Sequence, residues 1–143
     1  MSHLRPASLT GPSRELVVDP DVADVSDARQ FVREHCHALG FDADACDTAV
    51  LLTSETVTNA VTHGRSEARI RVTATPGLML VEVADGNSRH PQRQPQDPDA
   101  LDGRGMSIID LLAARWGVRD DPYGKTVWFE VRSPSDLDGT APE

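Results

Sequence analysis

Cysteine is scarce in this chain. Cys36 and Cys46 are the only two in 143 residues. Two are too few for a disulfide framework, and a reducing cytoplasm is the simpler setting. Long apolar runs are missing as well. No stretch reaches the roughly 20 apolar residues that a membrane-spanning helix needs. The first residues lack the apolar core of a secretory signal, so no leader is expected. An excess of basic charge is lacking too. The formal net charge is -9, from 14 Lys and Arg against 23 Asp and Glu. That argues against general binding to nucleic acid or to an anionic membrane. A local anion site built from backbone N–H groups and one or two arginines stays open. No internal repeat is seen. His35-Cys36-His37 has the look of a metal tripeptide, but adjacent helical residues point to different faces and cannot easily converge on one ion. The length suits one domain. It is expected over residues 14–132, with 1–13 and 133–143 as flexible tails.

What is present is organised around Leu51 to Gly64, which reads LLTSETVTNAVTHG. The pattern is that of one amphipathic helix with an acid and an amide on its working face. Glu55 and Asn59 are four residues apart and stack one turn from each other. Ala45, Ala49, Leu52, Thr56, Ala60 and His63 fall on or beside that stripe, and Gly64 is a natural C-terminal stop. Burying a carboxylate or an amide without a partner is costly. A bound metal with a polyphosphate would supply the partner; a pair of polar residues at a helix edge is the alternative.

Other elements follow in order. Arg14 to Val18 is a short strand. Asp19 fits an N-cap with Pro20 at the first helical position, and Val22, Val25, Ala28, Phe31, Val32, Cys36 and Leu39 recur at helical spacing up to Gly40. Asp42 is placed to cap the second helix. After Gly64 the period becomes alternating: Ile70, Val72 and Ala74 form one face of a strand, and Pro76-Gly77 turns the chain. Leu78 to Asp85 is the next strand. Met79, Val81, Val83 and Asp85 share its parity, so a carboxylate stands at the strand end on the core side. It either meets a ligand or caps a turn. Gly86 to Asp102 is polar, Pro-rich and long, as lids and disordered segments are. Gly103-Arg104-Gly105 opens a helix over Met106 to Ala114, where glycines and a helix N-terminus favour an anion. Arg115 to Arg119 and Lys125 to Val131 are the last strands.

This series resembles the GHKL ATPase superfamily, the group containing gyrase, histidine kinases and MutL. Within it the chain is similar to the small anti-sigma-factor serine kinases and related actinobacterial ATP-binding regulators. The phrases SETVTNAVTHG, GRGMSIIDLLAARWGV and GKTVWFEV carry the likeness, which covers about Glu15 to Val131. The resemblance implies an α+β fold, a two-layer α/β sandwich of the Bergerat type. It has a mixed, mostly antiparallel sheet with helices on one face. It implies ATP and Mg²⁺ as cofactors. Asn59 would ligate Mg²⁺, Asp85 would accept the adenine amino proton, and Gly103, Arg104 and Gly105 would face the phosphates. Glu55 would be the catalytic residue that orients or deprotonates an attacking hydroxyl. His63 would lie near the phosphates or stabilise its own helix end. Thr126 is carried as a further nucleotide contact, although it alternates away from the side of Lys125.

The same resemblance implies an anti-sigma factor that phosphorylates a serine of an anti-anti-sigma (STAS-type) antagonist. Its partners would be a sigma factor, that antagonist, or both. A homodimer is also implied. The chain departs from the family at two places. Asn87 and Arg89 stand where spaced glycines are usual, and Lys125 stands where a threonine is common. A partner-switching module with weak or lost nucleotide binding is therefore the alternative.

Overall fold

The computed structural model describes residues 6, 13–19, 25–61, 67–86, 108–121 and 124–133. The elements are β1 (Ser13–Val18), α1 (Val25–Ala38), α2 (Ala43–Asn59), β2 (Ala68–Thr75), β3 (Leu78–Asp85), β4 (Arg115–Asp121) and β5 (Gly124–Arg132). Ala28, Val32 and Cys36 make the buried stripe of α1. Gly40 stops that helix with φ +83, a left-handed conformation that a side chain disfavours. Asp42 then starts α2: its Oδ1 accepts from the Ala45 N–H at 2.8 Å, as the N-cap reading expects. The Asp42 N–H donates to Ser133 Oγ, which ties the start of α2 to the end of β5.

The five strands lie in the order β1-β2-β3-β5-β4. The α+β architecture is as expected, and every pairing among the described strands is antiparallel. Strand alternation divides the sheet into two unlike faces. Ala68, Ile70, Val72, Met79, Val81, Val83, Val127, Phe129 and Val131 join the buried residues of α1 and α2 in one core cluster. Both helices therefore cover this face. Cys36 Sγ of α1 sits 3.6 Å from Met79 Sδ of β3 inside it. Both cysteines are free and buried. Burial, then the thiol–thiol contact, pushes Cys36 up. Burial also raises Cys46. Both thus act as small core side chains rather than nucleophiles.

The opposite face is polar at its rim and buries Trp128, Glu130 and Leu80. Trp128 is fully buried there and lies against Gly117, whose missing Cβ would stand 2.8 Å from the indole ring. The Arg115 guanidinium stacks on the same ring at 5.7 Å and lies 3.6 Å from the buried Glu130 carboxylate. The end of one helix differs from the sequence reading, and the start of another falls outside the described residues. The described start of α1 is Val25, while residues 20–24 lie outside the described part. The helix expected to run to Ala114 ends at residue 112. The Ala114 N–H donates to the Glu130 carbonyl at 2.9 Å, so the sheet captures the backbone before another helical turn forms.

His35 is half-buried beneath a stacked Phe31 ring, with centroids 6.2 Å apart. Burial, and secondarily the charge of Arg14, lowers its pKa from 6.5. A lowered native pKa means that the unfolded chain takes the proton first. Nothing is lost above the unfolded value, and stability falls as the pH drops through 6.5. Urea melts on either side of that pH should show the loss, and His35→Gln should flatten the dependence. Asp42→Ala should lower stability by about 1 kcal/mol in the same melts, the usual loss of an N-cap.

Candidate functional site

Helix α2 supplies the acid and the amide. Its two buried flanks include Ala45, Ala49, Leu52, Thr56 and Val57. Thr56 hides its hydroxyl by donating to the Leu52 carbonyl at 2.7 Å. Glu55 and Asn59 lie one turn apart at the edge of the buried region, both half-buried. The helix packs on β3 and β5. Those strands bring the core-facing parity of Met79, Val81 and Val83 out to Asp85. Asp85 thus ends on the helix-covered face, as its parity in the sequence indicates. The carboxylate is 8% exposed, so it is shielded from water.

Sequence reasoning missed the group that meets it. Lys125 stands directly opposite Asp85 in the β3–β5 register. Its Nζ donates to Asp85 Oδ2 at 3.0 Å, and both side chains are nearly sealed from solvent. The only sequence signal was the presence of a cation where the family commonly has a threonine. The preceding residue makes the approach possible. A Cβ on Gly124 would run into the Asp85 carbonyl oxygen, so only glycine lets β5 start this close to the end of β3.

The remaining candidates divide between described and undescribed residues. Thr126 pairs with Ala84 and falls on the face away from the helices, so the strands do not bring it to Asp85. His63, Gly103, Arg104 and Gly105 lie outside the described residues. The described chain from residue 108 onward is anchored on both sides. Ile109 is buried in the core, and Trp116 Nε1 donates to Asp110 Oδ1 at 2.9 Å across to β4. Among the described residues no group of three or more His, Cys, Asp and Glu could hold a metal ion. A carboxamide oxygen such as that of Asn59 suits Mg²⁺ brought by a polyphosphate, because that ion keeps phosphate and water oxygens around one or two protein ligands. His35, Cys36 and His37 diverge: Cys36 is buried and His37 exposed.

Two helices on one face of an antiparallel sheet, one of them carrying an acid and an amide one turn apart, and a buried carboxylate at a strand end make up an α+β domain. Residues 18–131 match the histidine kinase-like ATPase domain, and the chain belongs to that family. It is 32% identical over 96 residues to an uncharacterized protein of Streptomyces coelicolor, an alignment covering 57% of this chain and 91% of that one. Among solved structures it is similar to the RsbU and RsbW domains of Rv1364c from Mycobacterium tuberculosis. That match has a TM-score of 0.66, 19% identity and 85% of this chain covered. It is also similar to the histidine kinase domain of a blue-light activated histidine kinase from Erythrobacter litoralis, with a TM-score of 0.51, 18% identity and 83% of this chain covered. The chain spans 32% of the mycobacterial chain and 64% of the histidine kinase. At these identities the structures share the fold. No helix among the described residues is long and apolar enough to cross a membrane.

Gly124→Ala should force β5 away from the Asp85 carbonyl. A loss of about 1–3 kcal/mol, typical of overpacking, is expected in denaturant melts. Amide exchange should rise at Asp85 and Lys125 before it rises elsewhere in the sheet.

Proposed function

We propose that this protein binds ATP with Mg²⁺ between α2 and the β3–β5 end, and transfers the terminal phosphoryl group to a serine of an antagonist protein in a partner-switching circuit. The observation that carries the reading is that α2, with Glu55 and Asn59 half-buried one turn apart, packs on β5 and on β3, the strand that ends in the buried Asp85. The family match supports the nucleotide, and the likeness to a chain described by its RsbU and RsbW domains supports the partner-switching context.

In this reading ATP supplies the phosphoryl group, and Mg²⁺ neutralises charge on it. The protein's task is to position and to handle one proton. The Asn59 side-chain oxygen holds the cation. Asp85 accepts from the purine amino group and so sets the base in place. Gly103, Arg104 and Gly105 face the phosphates, with His63 nearby. The Glu55 carboxylate orients the attacking serine hydroxyl or takes its proton. The partners are a sigma factor, a STAS-type anti-anti-sigma protein, or both, and the working form is a homodimer in the cytoplasm. One observation favours a second reading. The Lys125–Asp85 pair already occupies the carboxylate that the base would need. A module that binds its partner without nucleotide would be built this way.

Incubation of the purified protein with labelled ATP, Mg²⁺ and a genomically adjacent antagonist tests the first reading. Transfer to a serine is expected; no transfer to any such antagonist would sink it. Glu55→Gln should keep nucleotide binding and lower transfer by about 10²–10⁴-fold, the usual worth of a general base. Asn59→Ala should abolish the calorimetric heat of Mg-ATP and leave partner binding intact.

A further inference from the structure

We infer that Lys125 is a built-in competitor for the purine amino group at Asp85, and that it sets how tightly this protein holds ATP and how well it tells ATP from 6-oxo purines. The inference rests on the proposed binding of ATP at this site.

The first argument is position. Lys125 Nζ stands 3.0 Å from Asp85 Oδ2. That is the distance at which an amino N–H donates to a carboxylate oxygen. The lysine nitrogen therefore takes the position that the exocyclic nitrogen of a 6-aminopurine would take if it donated to the same lone pair of Oδ2. The two cannot occupy that point together.

The second argument is strength. Lys125 and Asp85 side chains are 10% and 3% exposed. Attraction between charges is screened far less there than at a surface. A neutral amino group makes a weaker bond to a carboxylate than an ammonium does. The incoming base must therefore displace the better donor, and the displacement lowers its net affinity.

The third argument is that the lysine has somewhere to go. Asp120 of β4 is the other direct neighbour of Lys125 in the sheet, so Asp85, Lys125 and Asp120 form one row on the helix-covered face. Asp120 is exposed. A flexible four-carbon stem lets the ammonium swing from the buried acid to the exposed one when a base arrives. A ligand that brings its own donor replaces the bond that the swing breaks. A purine with a 6-oxo group brings an acceptor there, cannot replace the donor that Asp85 gives up, and so gains nothing when the lysine is removed.

Titration calorimetry on the full chain tests this with Mg-ATP and Mg-ITP, on the wild type, Lys125→Thr and Lys125→Arg. Lys125→Thr should bind ATP about tenfold tighter or better than the wild type, with no gain for ITP. Lys125→Arg keeps a cation at Asp85 and should stay as weak as the wild type. Thermal melts check folding, and Lys125→Met replaces Lys125→Thr if the latter does not fold. Wild type that binds ATP with no gain in either neutral variant would overturn the inference and leave the ATP reading standing. An equal gain for ITP would also overturn it, since that marks a general loosening of the site. Silence of every form toward both nucleotides would remove the ATP reading itself, and the inference with it.

Discussion

The pairing of β3 with β5 is the constraint on which the rest depends. These strands are distant in sequence and adjacent at the centre of the sheet. Their register places Val81 against Phe129 and Val83 against Val127, which forms the floor on which α2 rests. The same register continues to Asp85 and Lys125, so a row of hydrocarbon pairs ends in a pair of opposite charges. Gly124 makes this end possible, because a side chain there would meet the Asp85 backbone. Cross-strand packing and site geometry are consequently one arrangement. Loosening either disturbs the other.

The two faces of the sheet do different work. The helix-covered face gathers the aliphatic core and delivers charged groups at its margin, among them Asp85 from β3 and Lys125 from β5, while α2 carries Glu55 and Asn59 at the edge of the buried region. The outer face is held by charged and aromatic neighbours. Arg115, Trp128, Glu130 and the small Gly117 form one stack, while Arg71 pairs with Glu15 at 2.8 Å and Arg119 reaches Glu82 at 3.5 Å. Exposed pairs of this kind contribute little each. Burial of Trp128 and Glu130 makes the Arg115 contacts worth more than the others, since removing the arginine would leave a buried carboxylate without its cation. The division of labour explains why a chain with so few aromatic residues places one of its two tryptophans away from the main core.

A buried ion pair at the end of two paired strands has a particular energetic character. It contributes little net stability compared with a hydrophobic pair of the same size, because desolvation offsets the attraction. It does impose a condition: each charge must stay satisfied, by its partner or by a substitute. A domain of the histidine kinase-like ATPase family with such a pair at its strand end differs from one with a neutral residue there in what must be exchanged when a ligand arrives. The family fold is kept, and one side chain gives its strand-end carboxylate a partner within the sheet.

Much of this architecture was legible in the residues alone. Helical spacing in α1 and α2, the Asp42 cap, the Gly40 stop and the alternation of β2, β3 and β5 all follow from local physics, and all are found in place. The Glu55–Asn59 turn and the inward parity of Asp85 were equally visible, because a period of 3.6 or 2 fixes which residues share a side. Strand order, the capture of Ala114 by Glu130, the outer-face stack on Trp128 and the Asp85–Lys125 pair were not. Each needs two segments far apart in the chain to meet at a defined register. Short-range preferences carry no information about that register; only the packing of the whole sheet against its helices selects it.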